Sequence, residues 1–434
     1  MALSAFCGQG HRPFVSGKPK QATLSPPMTQ TPLNDALIRA LPKTDLHVHL
    51  DGSLRVSTLI ELARERKLDL PSWTEEGMNA LVFKPTYSSL VEYLAGFAWT
   101  CGVMQDAEAL ERIAYEFAKD NQDEGVRYVE VRFAPQLHSR AGFSLLQVLQ
   151  AVQKGMDRAK AEFNAVLTPG EPPFHYGIIV CAMRMFNEHF SDYYRQLISV
   201  LPETRRKNLF GIASMELAKA AVKARDEHGV PVVGFDLAGQ EDGFPAMDHA
   251  DAYAWCHRKF LHKTVHAGEA YGPESIFQSL TELHADRIGH GLLLFAPESI
   301  QDPTIDNRAA FCERLANHMA ENRTTIEVCI TSNLQTTPRM KKVEDHPLRT
   351  MLDHRMSVTL CTDNRLMSHT TVSKEIGLAI QHLHMDHKEL RNVLIHGFKR
   401  SFFPGSYAEK RAWVRQVIDY YDRVMLDATG VKAG

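Results

Sequence analysis

The sequence predicts an α/β chain folded as a (β/α)8 TIM barrel, with a helical insertion after the first strand and extra helices at the C-terminal end. Three observations carry this. Eight short, mostly apolar, β-branched runs alternate with helix-period segments, the pattern of parallel strands joined by crossover helices. Eight such units fit the roughly 400 residues that follow position 34. A doubly wound open sheet would want a glycine-rich phosphate turn after its first strand, and none is there.

The elements follow in order. Residues 1–34 contain no acid before Asp35 and are rich in Pro, Ser, Thr, Gly and Gln. They lack an apolar core segment, which argues against a secretory signal. They are expected to be a disordered extension, with Met28 as a possible true start. Residues 35–434 then form a single barrel domain. Its strands are expected at 43–50, 126–133, 175–182, 230–237, 262–267, 286–290, 324–331 and 356–362. The stretch 51–125 is longer than a simple crossover, and excursions of that kind at the C-terminal rim of a barrel usually cover the site. Within it Leu90, Tyr93, Leu94 and Phe97 fall at helical spacing and make one apolar stripe. Most of that stripe reads as packing on the barrel wall, with Tyr93 and Phe97 the side chains that reach a ligand. A second long connection, 184–229, is expected to hold helices near 190–200 and 213–228. From Ser373 onward the pattern is helical. No internal repeat or interdomain linker is present.

Composition narrows the function. The 434 residues are 44% hydrophobic and 23% charged, as in an ordinary globular enzyme or binding protein. A net charge of −3 with no basic stripe argues against nucleic acid or an anionic membrane as partner. The seven cysteines form no C-x-x-C pair, which reads as reduced thiols in a cytoplasmic protein. No apolar run approaches the ~20 residues of a membrane span.

Polar groups gather at the C-terminal ends of the expected strands, where barrel active sites lie. The first strand sits in KTDLHVHLDGSL, residues 43–54. His47 and His49 are two apart, so on a strand both rings point to one face. Taken alone, that stretch reads equally as an ordinary strand with two satisfied histidines. The fourth strand runs into Asp236 and Gly239, the fifth ends in His266 and Glu269, the sixth in His290, and the eighth in Asp363 and Asn364. His47, His49, His266 and Asp363 supply three nitrogens and one carboxylate oxygen and leave one position for water, the donor set of a hydrolytic zinc or iron site. Zinc lowers the pKa of its water to roughly 7. Glu269, in a dry pocket, would have a raised pKa and serve as a proton donor. His290 would hold and deprotonate the water. Asp236 reads equally as a site group or as a buried partner to a histidine or the backbone. No lysine stands at the end of the fourth strand to bridge two metals, so one ion is expected.

In their order, HVHLDGSL, FDLAGQE, HAGE, RIGHG, TSN and TDN resemble the adenosine deaminase family of metal-dependent deaminases, over about residues 38–425. The resemblance implies one Zn2+ per chain on His47, His49, His266 and Asp363. It implies that Glu269 protonates or hydrogen-bonds purine N1, and that His290 orients the attacking hydroxide and acts as base. Gly239 would offer its backbone N–H to purine N3, and Asp51 would accept from the ribose 5′-hydroxyl. The implied reaction is hydrolytic deamination of adenosine and 2′-deoxyadenosine. The implied partner is a small-molecule purine nucleoside, with the oligomeric state left open. Alternatives are deamination of adenine or of a 5′-modified adenosine and, more remotely, a silent binding protein on the same scaffold. The chain departs from the family pattern at three places. Asn364 stands where a second aspartate commonly contacts purine N7; its neutral amide donates without needing protonation, so a weaker pH dependence is expected. Ile330 replaces a common proline, and 184–229 is longer than usual.

Overall fold

The computed structural model describes residues 33–430. Eight parallel strands, each hydrogen-bonded to the next in chain order, run Lys43–His49 (β1), Val126–Phe133 (β2), His175–Met183 (β3), Val232–Ala238 (β4), His262–Ala267 (β5), Arg287–His290 (β6), Thr325–Val328 (β7) and Ser357–Leu360 (β8). The last meets the first. The His49 N–H donates to the Asp363 carbonyl at 2.7 Å and the Asp363 N–H to the His47 carbonyl at 2.8 Å. These two bonds close the barrel and lock two candidate metal-ligand segments side by side.

Nearly every strand residue is buried, as expected where helices cover a parallel sheet. Pairing of β1 with β2 slips between Asp45 and Val48, an extra residue of the kind that re-aims side chains beside active sites. His47 and His49 still share a face. The strand expected over 324–331 is shorter: β7 stops at Val328 and a helix, Ile330–Thr336, begins almost at once. A short apolar run does not by itself separate a buried strand from a buried helix.

Five helices fill the insertion after β1: Val56–Arg66, Glu75–Leu81, Leu90–Ala95, Phe97–Val103 and Ala107–Asp123. The expected stripe therefore spans two helices, split at Gly96. A side chain there would meet Met367 Cε at 2.7 Å, so glycine permits the close approach. The second connection holds Asp192–Val200 and Arg206–His228, the latter starting one to two turns before its expected position.

Three C-terminal helices, Val372–Leu383, His387–Arg400 and Tyr407–Thr429, complete the fold. The last two start with capping boxes, Asp386 with Glu389 and Ser406 with Glu409, which satisfy backbone donors that would otherwise be orphaned. Phe398 and Trp413 from them pack with Leu46 and Tyr128, and the Tyr128 hydroxyl donates to the Phe402 carbonyl at 2.8 Å. Tyr128 lies near the start of β2, so this packing closes the N-terminal end of the barrel and leaves the C-terminal end for the site. The six cysteines among the described residues are free. No described helix is long and apolar enough to cross a membrane. The extension expected over 1–34 lies outside the described residues as far as residue 32; Asn34 caps the first helix, Asp35–Ala40.

Candidate metal centre and active site

Three imidazoles from two strands, β1 and β5, converge. His47 Nε2 lies 3.0 Å from His266 Nε2, and His49 Nε2 lies 3.2 Å from the same atom. Asp363 Oδ1 is 3.5 Å from His47 Nε2 and 3.6 Å from His49 Nε2. Donors on a tetrahedral zinc at 2.0–2.1 Å are separated by about 3.3 Å, so the four atoms outline a site of that size.

The hydrogen bonds behind the rings settle which nitrogens face inward. His47 Nδ1 lies 2.8 Å from Glu327 Oε2, and His266 Nδ1 lies 3.1 Å from Asp236 Oδ2. A carboxylate only accepts, so both Nδ1 atoms carry protons and both Nε2 atoms present lone pairs to each other. A cation between them turns that repulsion into attraction, and a carboxylate behind a ligating histidine is what such sites need to fix the tautomer. The chemistry of the donor set therefore fits a divalent ion.

The supporting carboxylates belong to a buried charged chain across the barrel. Arg132 donates to Asp236 Oδ2 at 3.0 Å and to Glu327 Oε2 at 2.9 Å. Arg287 donates to Glu327 Oε1 at 2.7 Å and also to Glu130. Burial pushes the carboxyls of Asp236 and Glu327 up. For Asp236 this is outweighed by His266 and Arg132, for Glu327 by the two arginines, and both are held well below the usual range. Three carboxylates against two guanidiniums leave one negative charge, and Asp363 adds another, so the pair balances a dication. Asp236 thus takes the role of buried partner to a histidine that its strand position allowed.

Two site residues sit in left-handed backbone: His290 at φ 63° and Asp363 at φ 60°. Such conformations in non-glycine residues cluster at functional sites, held by their surroundings. Here the Ser332 hydroxyl donates to Asp363 Oδ2 at 2.5 Å, leaving Oδ1 toward the three imidazoles. His290 joins His47, His266 and Asp363 within 4.8 Å. A relay fixes its protonation. The Leu348 N–H donates to His346 Nδ1 at 3.0 Å. His346 Nε2 therefore carries its proton and gives it to Asn333 Oδ1 at 3.2 Å. Asn333 Nδ2 then donates to His290 Nδ1 at 3.0 Å. Burial lowers His290 to about 4, so the ring is neutral, and its one proton is left on Nε2. That atom lies 3.7 Å from Glu269 Oε2.

Glu269 is buried, and burial together with the Asp363 charge raises its carboxyl to about 8; it is protonated at neutral pH. Its backbone is held by Glu241, whose carboxylate accepts the N–H groups of Gly268 (2.8 Å), Glu269 (3.0 Å), Ala270 (2.7 Å) and Tyr271 (2.9 Å), and the Ser275 hydroxyl. Glu241 sits in the FDLAGQE motif, yet this role was not read from it. Arg132, Glu327, Ser332 and Asn333 were also missed. The alternating charges in VRYVEVRF, on a strand expected to be buried, were the available signal.

The centre opens into a cavity of about 470 Å³, within the range of small-molecule sites. Asp51, Tyr93, Phe97, Gly239, His266, Glu269, His290, Asp363 and Asn364 all line it, together with Leu90, Leu94 and Phe190. His47 is fully buried behind them. The stripe does more than pack, since Leu90 and Leu94 reach the cavity as well as Tyr93 and Phe97. Two buried polar atoms on the wall have no partner: Asp51 Oδ1 and Asn364 Oδ1. Gly239 adopts φ 100°, which glycine alone takes without strain. No lysine or arginine lines the cavity among the described residues.

The adenosine deaminase family model matches residues 42–420. A probable adenosine deaminase of Dictyostelium discoideum is 35% identical over 84% of this chain, which covers 41% of that protein. Adenosine deaminase 1 of Streptomyces coelicolor is 34% identical over 92% of this chain and 91% of its own length. Among solved structures, an amidohydrolase from Burkholderia ambifaria with bound zinc has a TM-score of 0.70 at 19% identity, covering 91% of this chain and 94% of its own. The Arabidopsis N6-mAMP deaminase has a TM-score of 0.66 at 24% identity, covering 88% of this chain and 99% of its own. These structures share the barrel, and with a family match over most of its length the chain belongs to the adenosine deaminase family.

Proposed function

We propose that the protein hydrolyses the C6–amino bond of adenosine and 2′-deoxyadenosine, giving inosine or deoxyinosine and ammonia. The observation that carries this reading is a neutral, buried Glu269 beside a three-imidazole, one-carboxylate centre at the base of a nucleoside-sized cavity. His47, His49, His266 and Asp363 would hold one Zn2+, the ion named for the Burkholderia structure. When bound, the ion supplies a water that ionises near neutral pH.

The chain's own groups do the rest. Glu269 gives its proton to purine N1, which draws electrons from C6. His290, with its proton on Nε2, donates to the attacking water and holds it against C6. The proton that the water loses passes by way of the Asp363 carboxylate to the leaving amine, so the C6–N bond breaks with loss of ammonia. As the C6–O bond becomes a carbonyl, its remaining proton restores Glu269. His290 is thus assigned as an orienting donor, whereas a base was expected from the sequence; the relay through Asn333 and His346 is the reason. Asp51 Oδ1, buried and without a partner, accepts the ribose 5′-hydroxyl. Gly239 offers its N–H to N3 and Asn364 its amide to N7. Tyr93 and Phe97 wall the purine.

The Arabidopsis relative acts on a nucleotide. A 5′-phosphate is normally met by arginine or lysine. The cavity offers Asp51 instead, which favours a free 5′-hydroxyl. A substrate panel of adenosine, deoxyadenosine, adenine, AMP and 5′-deoxyadenosine tests the reading. Adenosine and deoxyadenosine are expected to give the highest kcat/KM. Failure of metal-replete protein to release ammonia from any of them would end the proposal.

A further inference from the structure

A second cluster of metal-ligating side chains stands beside the first centre. Asp51 follows β1, Cys101 lies on the helix Phe97–Val103, and His138 follows β2. Their ligand atoms lie within 4.8 Å of one another, against edges of roughly 3.3–3.7 Å in a tetrahedral zinc site with sulfur, nitrogen and oxygen donors.

Two of the three residues carry an orphaned buried acceptor. His138 is fully buried, and its Nδ1 lies 2.9 Å from the Met104 carbonyl. A carbonyl only accepts, so Nδ1 carries the proton and Nε2 holds a bare lone pair. That Nε2 has no partner, and neither does Asp51 Oδ1, 97% of whose residue surface is buried. The nearest cationic candidate to Asp51 Oδ1 is His49 Nδ1 at 3.9 Å, beyond hydrogen-bond range. An unpartnered buried acceptor is costly, and two on neighbouring side chains clustered with a thiol are what a cation would satisfy.

We propose that Asp51, Cys101 and His138 form a second site for a thiophilic divalent cation of the zinc class, on the wall of the substrate cavity. Binding forms a metal–sulfur bond and releases the Cys101 thiol proton to solvent. His138 enters as a neutral ligand through Nε2 and Asp51 as a carboxylate. A solvent molecule takes the fourth position, on the cavity side, where Cys101 and Asp51 are lining residues. Because Asp51 is also assigned to the ribose, an ion here competes with the nucleoside; this consequence, unlike the binding itself, rests on the proposed function.

The test is cadmium titration of the zinc-loaded protein, followed by thiolate-to-cadmium charge-transfer absorbance. The first centre has only nitrogen and oxygen donors, so exchange into it gives no such band. One equivalent of cadmium per chain is expected to produce the band. Cys101→Ser should abolish it, and His138→Gln, which keeps a donor for Met104, should weaken cadmium binding at least tenfold. Both variants are checked by thermal melting and by retention of the first zinc. Absence of the band in the wild type overturns the proposal, and so does a band that survives in Cys101→Ser, which would report another thiol. If His138→Gln fails to fold, cadmium-113 resonance on nitrogen-15 histidine-labelled wild type replaces it. Coupling to one imidazole is then expected, and its absence excludes His138. Loss of competition with adenosine while the band persists would refute the ribose assignment and leave the site intact.

Discussion

Asp236→Asn probes how the first centre is built. Asp236 accepts from His266 Nδ1 and from Arg132. Asparagine has the same shape, and two things change. The negative charge behind the ring disappears, and the amide can turn its NH2 toward Nδ1. In that orientation the His266 proton moves to Nε2 and the lone pair leaves the centre. Arg132 keeps Glu327, so one buried guanidinium is not left bare, and the fold is expected to survive. Loss of a partner behind a ligating histidine typically weakens metal binding by about 10–100-fold, which is about 1.4–2.7 kcal/mol. The assay is competition for zinc with a chromophoric chelator, with kcat then measured at saturating zinc. The expected result is a 10–100-fold higher Kd for zinc and partial recovery of kcat. A Kd within threefold of wild type, in a folded variant, would show that the carboxylate does not set the His266 tautomer.

Other expectations follow from the same geometry. Glu269→Gln keeps a donor for N1 but has no proton to give; kcat should fall by about 10²–10⁴ with zinc content unchanged, and an unchanged kcat would remove Glu269 from the chemistry. Since burial raises the Glu269 carboxyl to about 8, it is protonated below that pH and loses its proton above it. The pH profile of kcat/KM for the wild type should therefore fall through about pH 8, a limb absent from the residual activity of Glu269→Gln. Asp51→Ala should raise KM for adenosine by about 10–100-fold, which is about 1.4–2.7 kcal/mol and the size of a lost buried hydrogen bond, and leave 5′-deoxyadenosine nearly unaffected; equal effects on both would refute the ribose role. Asn333→Ala frees His290 to take either tautomer, so kcat should drop by about 5–30-fold with KM and zinc content little changed, and a wild-type kcat would dismiss the relay.

Much of the barrel was legible because its strands are apolar runs bounded by turn residues, and because the polar groups of interest come at strand ends. His47 and His49 announce themselves by period-two spacing, and His266 and Glu269 by their place after an apolar strand. The β7 boundary was not legible. TTIEVCIT is equally apolar in its strand half and in the half that leads into the helix Ile330–Thr336, and that helix brings Ser332 and Asn333 to the site. The break at Gly96 was hidden for a different reason. A side chain at Gly96 would meet Met367, a residue far away in sequence, and periodicity carries no record of such contacts. Arg132 and Glu327 lay in plain view as charges inside expected strands. Their function depends on which ring each carboxylate meets across the barrel, and that is decided only when the strands close.

The central claim is that one divalent ion on His47, His49, His266 and Asp363 makes this chain a deaminase. Titrating zinc into metal-free protein while following the loss of adenosine tests it most directly. Activity should rise from none, linearly, and break at one equivalent per chain. Full turnover without metal, or a break at two equivalents, would contradict it.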